Sequence, residues 1–351
     1  MENPREILVR GPNWTGDVIM ATPGFRALRA GFPDARITLH LRESQVPLLR
    51  GSAWFDEIVP LRSQAGRRWA AVRDARALGK GHSFDLGICL PDSFSSALLM
   101  RAAGVRHIVG YARNSRSWLL HRAVPLPAGI EGERGGPMLP RELHVLGLIE
   151  ALGCERKGTE LELPIMADER REAAAAFEGA GGTPDGSYAV LAPGASFGPS
   201  KIWPPESFAQ VGDELAARGV SVVLIGTPAE VGLTRDVRRW MRGPVVDLTG
   251  KLGLGALKAV VQGARLMVCN DAGARHVAVA FGVPCVVMMG PTSLEKTGLN
   301  LDGVQVLTAD VPCRPCYARE CPIDHRCMRQ ISPDRVLAAA HSALEPAGTL
   351  S

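Results

Sequence analysis

The sequence predicts an α/β protein made of two doubly wound parallel-sheet domains of the Rossmann type that face one another. Short apolar runs alternate with amphipathic helical patterns through most of the chain, which is the pattern of β-α-β units in a parallel sheet. The alternation is interrupted between residues 166 and 186 and then starts again. The length of 351 residues also suits about two domains.

The first predicted domain spans residues 1–170. Its expected strands are the apolar runs at 7–10, 36–41, 57–61, 85–91 and 106–111. The spacing of apolar residues predicts helices at 17–31, 67–79, 94–103 and near 139–152. Residues 166–186 have the pattern of a helix that runs into a linker, and we place the linker at 171–186.

The second predicted domain spans residues 187–351 and repeats this organisation. Its expected strands are 188–195, 221–228, 244–250, 266–271 and 284–291, and its helices lie near 205–218, 229–241, 254–263, 273–281 and 333–345. The last helix follows Ser332, a typical N-cap, and has Pro333 at its first position. Ligands of such sheets bind at the carboxyl ends of the strands, so functional side chains are expected in the strand-to-helix turns.

The composition is that of a globular protein with a full core, with 46% hydrophobic and 22% charged residues. The net charge of +4 is mild, and we expect no nucleic-acid partner. No apolar stretch approaches the roughly 18 to 20 residues that span a bilayer. The charged N-terminus shows no secretory signal. We therefore expect a cytoplasmic protein that touches a membrane only peripherally.

The turn after the first predicted strand, GPNWTGDV at residues 11–18, carries an acid where a phosphate-binding turn would avoid one. One interpretation of Asp17 is an ordinary first-turn acid that interacts favourably with the helix dipole. The other starts from Gly11 and Gly16, which shape the loop around this single carboxylate, and from Trp14, which supplies a flat wall. A carboxylate held in this position can accept a proton from an attacking hydroxyl group.

The segment APGASFGPSKIWPPESFA at residues 192–209 follows a predicted strand and has the features of a diphosphate site. Its small residues let the backbone approach a ligand closely, while Ser196 and Ser200 offer hydroxyl groups. Lys201 offers a compact positive charge, and the N-terminus of the following helix adds unpaired N–H donors. The alternative is that Lys201 is a solvated loop lysine.

Two further turns carry weaker signals. CNDAGARHVAVAFGVP at 269–284 places Asp271 at a strand end, Gly273 in a tight turn and His276 in the first turn of a helix. This combination suits a pyrophosphate, although Asp271 alone could be a plain N-cap and His276 a structural histidine. Glu230, in LIGTPAEV at 224–231, is placed to accept hydrogen bonds from ribose hydroxyl groups, but a first-turn glutamate is also ordinary.

Four stretches of the sequence together resemble the ADP-heptose:lipopolysaccharide heptosyltransferases, and most of all the heptosyltransferase II branch. They are GPNWTGDVIMATP, LPDSFSSALL, PGASFGPSKIWPPESFA and NDAGARHVAVAFGVPCVVMMGPT, and the resemblance runs from residue 7 to about 340. It implies a GT-B fold of two Rossmann-like domains. It also implies inverting transfer of heptose from ADP-heptose to the lipopolysaccharide inner core, at the cytoplasmic face of the inner membrane, without an obligatory metal or other cofactor.

The resemblance also assigns roles to individual residues. Asp17 matches the acid of the family's GD motif, the proposed general base, and Lys201 matches the lysine that contacts the donor phosphates. The donor-binding residues expected from the motifs and the resemblance together are Ser196, Ser200, Lys201, Glu230, Lys251, Leu252, Asp271, Gly273 and His276. Arg275 replaces a commonly apolar residue of the family and is a candidate for an additional phosphate contact.

Acceptor binding is expected in the first domain because the phosphates of the donor are assigned to the second. Inner-core acceptors are heavily anionic, and YARNSRSWLLHR at 111–122 contains Arg113, Arg116 and Arg122. We interpret these arginines, together with Trp14, as acceptor contacts. Ordinary surface charge is an equally weighted alternative for the arginines.

Four cysteines, Cys313, Cys316, Cys321 and Cys327, form the pattern C-x2-C-x4-C-x5-C. This pattern suits a structural metal site, with zinc as the candidate, or a loop held by reduced or paired thiols. Many members of the family lack these cysteines, so we do not expect them to take part in transfer.

Other function classes remain open from the residues alone. A family member with another acceptor or sugar donor, such as a heptosyltransferase I-like or III-like enzyme, would show the same motifs. A dinucleotide-dependent oxidoreductase also uses Rossmann halves, but the first turn lacks G-x-G-x-x-G and no ribose-binding acid follows the second strand at the expected distance. A metal or redox module built on the cysteines is the third class. For the heptosyltransferase interpretation we expect a monomer.

Overall fold

The computed structural model describes residues 4–62, 68–126, 139–183 and 188–345. The chain divides into two compact units. The first contains residues 1–164 together with Glu295–Leu299, and the second contains Ile165–Leu294 together with residues 300–351. No helix in the described ranges combines the length and apolar character needed to cross a membrane.

The first unit contains a six-stranded sheet. Its strands are β1 (Glu6–Arg10), β2 (Arg36–Arg42), β3 (Glu57–Leu61), β4 (Leu86–Cys89), β5 (His107–Tyr111) and β6 (Arg122–Val124). Its helices are α1 (Thr15–Met20), α2 (Thr22–Gly31), α3 (Val46–Leu49), α4 (Arg68–Lys80), α5 (Phe94–Ala102) and α6 (Arg141–Glu150). The strands pair in parallel in the order β3-β2-β1-β4-β5-β6, which is the doubly wound Rossmann order.

The second unit repeats this topology. Its strands are β7 (Tyr188–Ala192), β8 (Ser221–Leu224), β9 (Val246–Asp247), β10 (Leu266–Asn270), β11 (Cys285–Met288) and β12 (Val304–Leu307). Its helices are α7 (Ala167–Glu178), α8 (Pro205–Ala217), α9 (Val231–Trp240), α10 (Leu254–Gln262), α11 (Gly273–Ala280), α12 (Arg326–Arg329) and α13 (Pro333–Leu344). The order is β12-β11-β10-β7-β8-β9, again with parallel pairing.

The central strands are buried along almost their whole length. Every residue of β7 and β10 is buried, as is β1 from Ile7 onward. A parallel strand covered by helices on both faces must be apolar throughout, which explains why these strands appear in the sequence as continuous apolar runs.

Part of the predicted linker is helical. α7 continues to Glu178 and lies in the second unit, where Glu169 forms a fully buried ion pair with Lys258 of α10 at 3.0 Å. Residues 184–186, the end of the predicted linker, lie outside the described residues.

The strand order positions the functional turns. In each sheet the direction of winding reverses between two central strands, β1 and β4 in the first unit and β7 and β10 in the second. The loops after those strands separate there and leave room for a ligand. Asp17 and Asp92 follow β1 and β4, whereas Lys201 and Asp271 follow β7 and β10.

Candidate active site

Asp17 lies in the first turn of α1, three residues after Trp14, whose side chain is 54% exposed. Its Oδ1 is 3.7 Å from Nε of Arg141, a separation too long for a hydrogen bond, and 31% of its side chain remains exposed. Burial raises the pKa of Asp17 above the usual aspartate value. This effect outweighs Arg141, His144 and Lys296, whose charges act in the opposite direction. Asp17 is therefore an accessible carboxylate that is more basic than a free aspartate.

Asp92 lies in the turn after β4, and a set of basic side chains surrounds it. Its Oδ1 is 3.2 Å from Nη2 of Arg116, and its Oδ2 is 3.4 Å from Nε2 of His144 and 3.8 Å from Nε of Arg113. Burial opposes the ionisation of Asp92, but these partners outweigh it and lower its pKa. His144 therefore acts on both carboxylates, because its charge lowers the pKa of Asp92 and also that of Asp17.

The placement of Arg116 does not fit the predicted acceptor contact. Its side chain is completely buried, and its guanidinium donates to the carbonyl oxygens of Pro91, Ser93 and Tyr111 as well as to Asp92. Arg116 thus stabilises the turn after β4 from the interior of the first unit. Arg122, by contrast, is exposed on the edge strand β6.

Lys201 and Asp271 form an ion pair that joins two turns of the second unit, the turn after β7 and the turn after β10. Nζ of Lys201 is 2.6 Å from Oδ2 of Asp271, and the same oxygen accepts a hydrogen bond from the Thr292 hydroxyl at 2.8 Å. Oδ1 is 3.2 Å from Nη1 of Arg275. Burial opposes the ionisation of Asp271, but these partners outweigh it and lower its pKa to about 2. Arg275 is itself buried against this carboxylate, which does not fit the phosphate contact suggested for it.

Asn270 and Trp203 fix the turn that carries Lys201. The Asn270 amide donates to the carbonyl of Pro193 at 2.6 Å and accepts from the backbone N–H of Trp203 at 3.1 Å. Trp203 is fully buried, and its indole N–H donates to the carbonyl of Ile331 at 2.9 Å. The loop after β7 is therefore tied to the end of β10 on both sides of Lys201.

The remaining predicted donor residues occupy different surroundings. Ser196 is exposed in the loop after β7. The carboxylate of Glu230 lies over the same loop, because a Cβ added to Gly194 would be 2.0 Å from its Oε1. Ser200 is buried, and its hydroxyl donates to the carbonyl of Ala318 at 2.6 Å. This placement does not fit the donor contact predicted for Ser200.

Gly273 begins α11, and His276 is buried in its first turn. Burial, reinforced by the charge of Arg275, lowers the pKa of His276 to about 3, so its imidazole is neutral. Lys251 is exposed and donates to the carbonyl of Asp247 at 2.9 Å, and Leu252 beside it is half-buried.

Comparison with known proteins identifies the family. The model of glycosyltransferase family 9, the heptosyltransferases, matches residues 72–326, which is more than half of the chain. The chain belongs to glycosyltransferase family 9. It is therefore a glycosyltransferase, as its motifs predict, and the oxidoreductase and metal-module alternatives are not favoured.

Individual members of family 9 match over nearly their whole length. Lipopolysaccharide heptosyltransferase 2 of Escherichia coli is 27% identical over 97% of this chain and 98% of its own. The crystal structure of a family 9 glycosyl transferase from Veillonella parvula superposes with a TM-score of 0.82 at 23% identity, covering 97% of both chains. The structure of E. coli ADP-heptose lipopolysaccharide heptosyltransferase II gives 0.76 at 24% identity, covering 97% and 98%. The predicted GT-B fold of two Rossmann-like sheets is confirmed.

The four clustered cysteines, Cys313, Cys316, Cys321 and Cys327, line one cavity of about 70 Å³ together with His325 and Pro291. Burial, reinforced by the three other thiols, raises the pKa of Cys327 to about 11. Within the described ranges, no three His, Cys, Asp or Glu side chains are arranged to hold a metal ion, so the predicted zinc has no support. The loop packs on the turn that carries Lys201, because Nε2 of His325 lies 2.6 Å from the carbonyl oxygen of Ser200.

Sequence reasoning missed several residues around the two carboxylates. Arg141 and Lys296 act on Asp17 and lie outside the quoted motifs. Thr292, which donates to Asp271, is the last residue of the quoted motif NDAGARHVAVAFGVPCVVMMGPT, so its presence there was a usable signal. Asp92 was within the quoted motif LPDSFSSALL, so its position after a central strand was a usable signal.

Proposed function

We propose that this chain transfers heptose from ADP-heptose to the inner core of lipopolysaccharide with inversion at the anomeric carbon. The observation that carries the proposal is the Asp17 carboxylate, which remains accessible, has a raised pKa and follows a central strand of the first sheet. The relatives indicate the substrates, because one of them is the E. coli ADP-heptose lipopolysaccharide heptosyltransferase II. Family membership and the full-length similarity support this choice over other nucleotide sugars.

The second unit binds the donor in this proposal. Lys201 and Arg275 carry two positive charges against the single negative charge of Asp271, which leaves a net positive charge for a diphosphate. The Ser196 hydroxyl and the N–H groups at the start of α11 add hydrogen-bond donors. The neutral His276 adds no charge, so the electrostatic contribution comes from the lysine and the buried arginine. Glu230 binds the ribose.

The first unit binds the acceptor and removes its proton. The Asp17 carboxylate takes the proton of the acceptor hydroxyl group as the oxygen forms its bond to the anomeric carbon of heptose. The bond between that carbon and the donor phosphate breaks in the same step, and ADP leaves with the electron pair. Groups placed in advance for the developing phosphate charge lower the barrier. Arg141, Lys296, Arg113, Arg122 and Trp14 are the side chains that we assign to the anionic acceptor.

Arg141 and Lys296 serve a second purpose beside Asp17. Their positive charges favour the ionised carboxylate, whereas its burial favours the protonated form. The balance leaves the pKa of Asp17 raised, so its carboxylate is more basic than that of an exposed aspartate. We place the enzyme at the cytoplasmic face of the inner membrane, as a monomer.

The decisive experiment combines Asp17→Asn with separate donor and acceptor measurements. Purified protein is incubated with ADP-heptose and a panel of truncated inner-core acceptors while ADP release is followed. We expect Asp17→Asn to lower turnover by at least about 100-fold, the size of a lost general base, and to leave ADP affinity close to wild type. In the wild type, kcat/KM should fall as the pH drops through the raised pKa of Asp17.

Asp34→Asn is the matched control, because Asp34 is exposed in the loop between α2 and β2. It should keep wild-type turnover. Loss of ADP affinity in Asp17→Asn, or turnover close to wild type, would contradict the assignment of Asp17 as the base. Turnover with another nucleotide sugar, but none with ADP-heptose, would contradict the proposed donor. The truncated acceptor that supports ADP release identifies the position in the inner core to which heptose is added.

A further inference from the structure

One segment of the first unit is cationic and contains no compensating acids of its own. Residues 93–125, which run from the start of α5 through β6, contain five arginines and no aspartate or glutamate. Arg101, Arg106 and Arg122 are exposed. Two acids outside the segment pair with it, because Asp85 binds Arg106 at 3.1 Å and Asp92 binds the buried Arg116. Arg101 and Arg122 are therefore the exposed arginines of this segment that no acid pairs with in the described residues.

The same segment exposes a group of large apolar side chains, Phe94, Leu98 and Trp118, which together with Arg101 form one face. Phe94 and Leu98 lie four residues apart on α5, so they form one stripe, and they are 41% and 38% exposed. Arg101 continues this stripe one turn further along. Trp118, in the 3-10 turn Ser117–Leu119, is 70% exposed, and its ring lies 5.8 Å from the ring of Phe94.

We propose that this face docks on an anionic lipid bilayer, with Phe94, Leu98 and Trp118 entering the headgroup region and Arg101 contacting lipid phosphates. Tryptophan favours the membrane–water interface because its ring is apolar and its N–H is polar. Arginines next to such a group add attraction to anionic lipids. The inference rests on the proposed function in one respect, since an acceptor anchored in a membrane must be reached from the membrane surface.

A vesicle-binding experiment tests the surface without relying on catalysis. The full chain is sedimented with vesicles of phosphatidylcholine, alone or mixed with phosphatidylglycerol. We expect wild-type protein to bind the anionic vesicles and to be released as salt is raised, because exposed charges are screened. The double variant Phe94→Ser/Trp118→Ser should lower the partition coefficient at least tenfold. Arg101→Gln should lower binding and reduce its salt dependence.

Trp240→Ser is the matched control, because Trp240 is a 63% exposed tryptophan on α9 of the second unit. It should bind vesicles like the wild type. Equal losses in Trp240→Ser and in the double variant would overturn the proposal, as would the absence of wild-type binding. Vesicle binding that is retained by a folded double variant, as judged by its thermal unfolding, would assign the patch to a protein partner instead.

Activity separates this inference from the proposed function. With a water-soluble truncated acceptor, the double variant should keep wild-type turnover, whereas transfer to an acceptor embedded in anionic vesicles should fall at least tenfold. Loss of both activities together would overturn the membrane role of the patch. A wild-type enzyme that is inactive on both acceptors but still binds vesicles would contradict the proposed function and leave the docking surface standing.

Discussion

The Nζ atom of Lys201 lies 2.6 Å from Oδ2 of Asp271 and 2.9 Å from the carbonyl oxygen of the same residue, across 70 positions of sequence. Only 12% of the lysine side chain and 8% of the aspartate side chain are exposed. Buried ions are stable when all of their hydrogen-bonding groups have partners. Here Thr292 and Arg275 donate the further hydrogen bonds that the Asp271 carboxylate accepts. The lysine is thus fixed in place by the protein itself, before any donor binds.

Replacing Lys201 by methionine should reduce both stability and donor affinity. The loss of one partner of a buried pair leaves Asp271 with Arg275 and Thr292, so we expect the free energy of unfolding to fall by about 2–3 kcal/mol. ADP affinity should fall at least about tenfold, the size of one charge-assisted hydrogen bond. Urea unfolding and calorimetric ADP titration measure the two effects.

Lys157→Met is the control for this substitution. Lys157 is exposed in the first unit and pairs with Glu155 at 3.1 Å, so its loss should change stability by less than about 1 kcal/mol and leave ADP binding intact. Unchanged ADP affinity in Lys201→Met would show that the lysine has a structural role instead of a donor-binding one.

Asp271 makes the stability of the second unit depend on pH in a defined direction. Burial alone would raise its pKa, but Lys201 and its other partners lower the value to about 2. An unfolded aspartate titrates near about 3.9, so the unfolded chain binds the proton first as the pH falls. The stabilisation of about 2–3 kcal/mol is complete above about pH 5 and is lost as the pH falls toward 2.

The difference in unfolding free energy between wild type and Asp271→Asn isolates this contribution from the other acids. Urea unfolding at pH 7, 5, 4 and 3 should show a difference that is constant down to about pH 5 and has decreased by about 1 kcal/mol at pH 3. A difference that stays constant from pH 7 to pH 3 would contradict the lowered pKa of Asp271.

The turns of the site were predictable because both halves follow simple periodic rules. Apolar runs and helical spacing locate the strand ends at which Asp17, Lys201 and Asp271 stand. The strands β6 and β12 were not predicted. β6 has three residues at a sheet edge and β12 has four half-buried ones, so neither gives the apolar run of a central strand.

The partners of the site residues could not be predicted, because tertiary packing determines them. Arg141 reaches Asp17 from α6, which lies far from β1 in sequence. The sequence predicts that Ser200 contacts a ligand, but the loop that contains Cys313, Cys316 and Cys321 covers it. The Ser200 hydroxyl donates to the carbonyl of Ala318 in that loop. Sequence spacing indicates which residues share a turn, whereas the direction of each side chain depends on neighbours from other parts of the chain.

The two arginines Arg116 and Arg122 should differ sharply when each is replaced by methionine. Arg116→Met removes the donors that hold the carbonyls of Pro91 and Tyr111 and a partner of Asp92, so we expect a loss of about 3 kcal/mol or more. Arg122→Met changes an exposed edge position and should shift stability by less than about 0.5 kcal/mol. Thermal and urea unfolding compare the pair. Similar losses in the two variants would contradict the structural role assigned to Arg116.

Gly194→Ala should weaken donor binding by displacing a carboxylate instead of disturbing the sheet. The added Cβ would lie 2.0 Å from Oε1 of Glu230, whose Oε2 is held by the backbone N–H of Thr227 at 2.7 Å and by its hydroxyl at 2.9 Å. Glu230 must therefore turn away from the loop. We expect ADP affinity to fall by about fivefold to tenfold, as one hydrogen bond to ribose is lost.

Gly232→Ala is the matched control for this change, because nothing lies within 4 Å of a Cβ added at Gly232 on α9. It should bind ADP like the wild type, and alanine in a helix should stabilise it slightly. The background Glu230→Ala then tests the route of the effect. If Gly194→Ala acts through the glutamate, it adds little further loss of ADP affinity in that background, since residues in contact are not additive. Full additivity of the two losses would instead show that the alanine blocks the ligand directly.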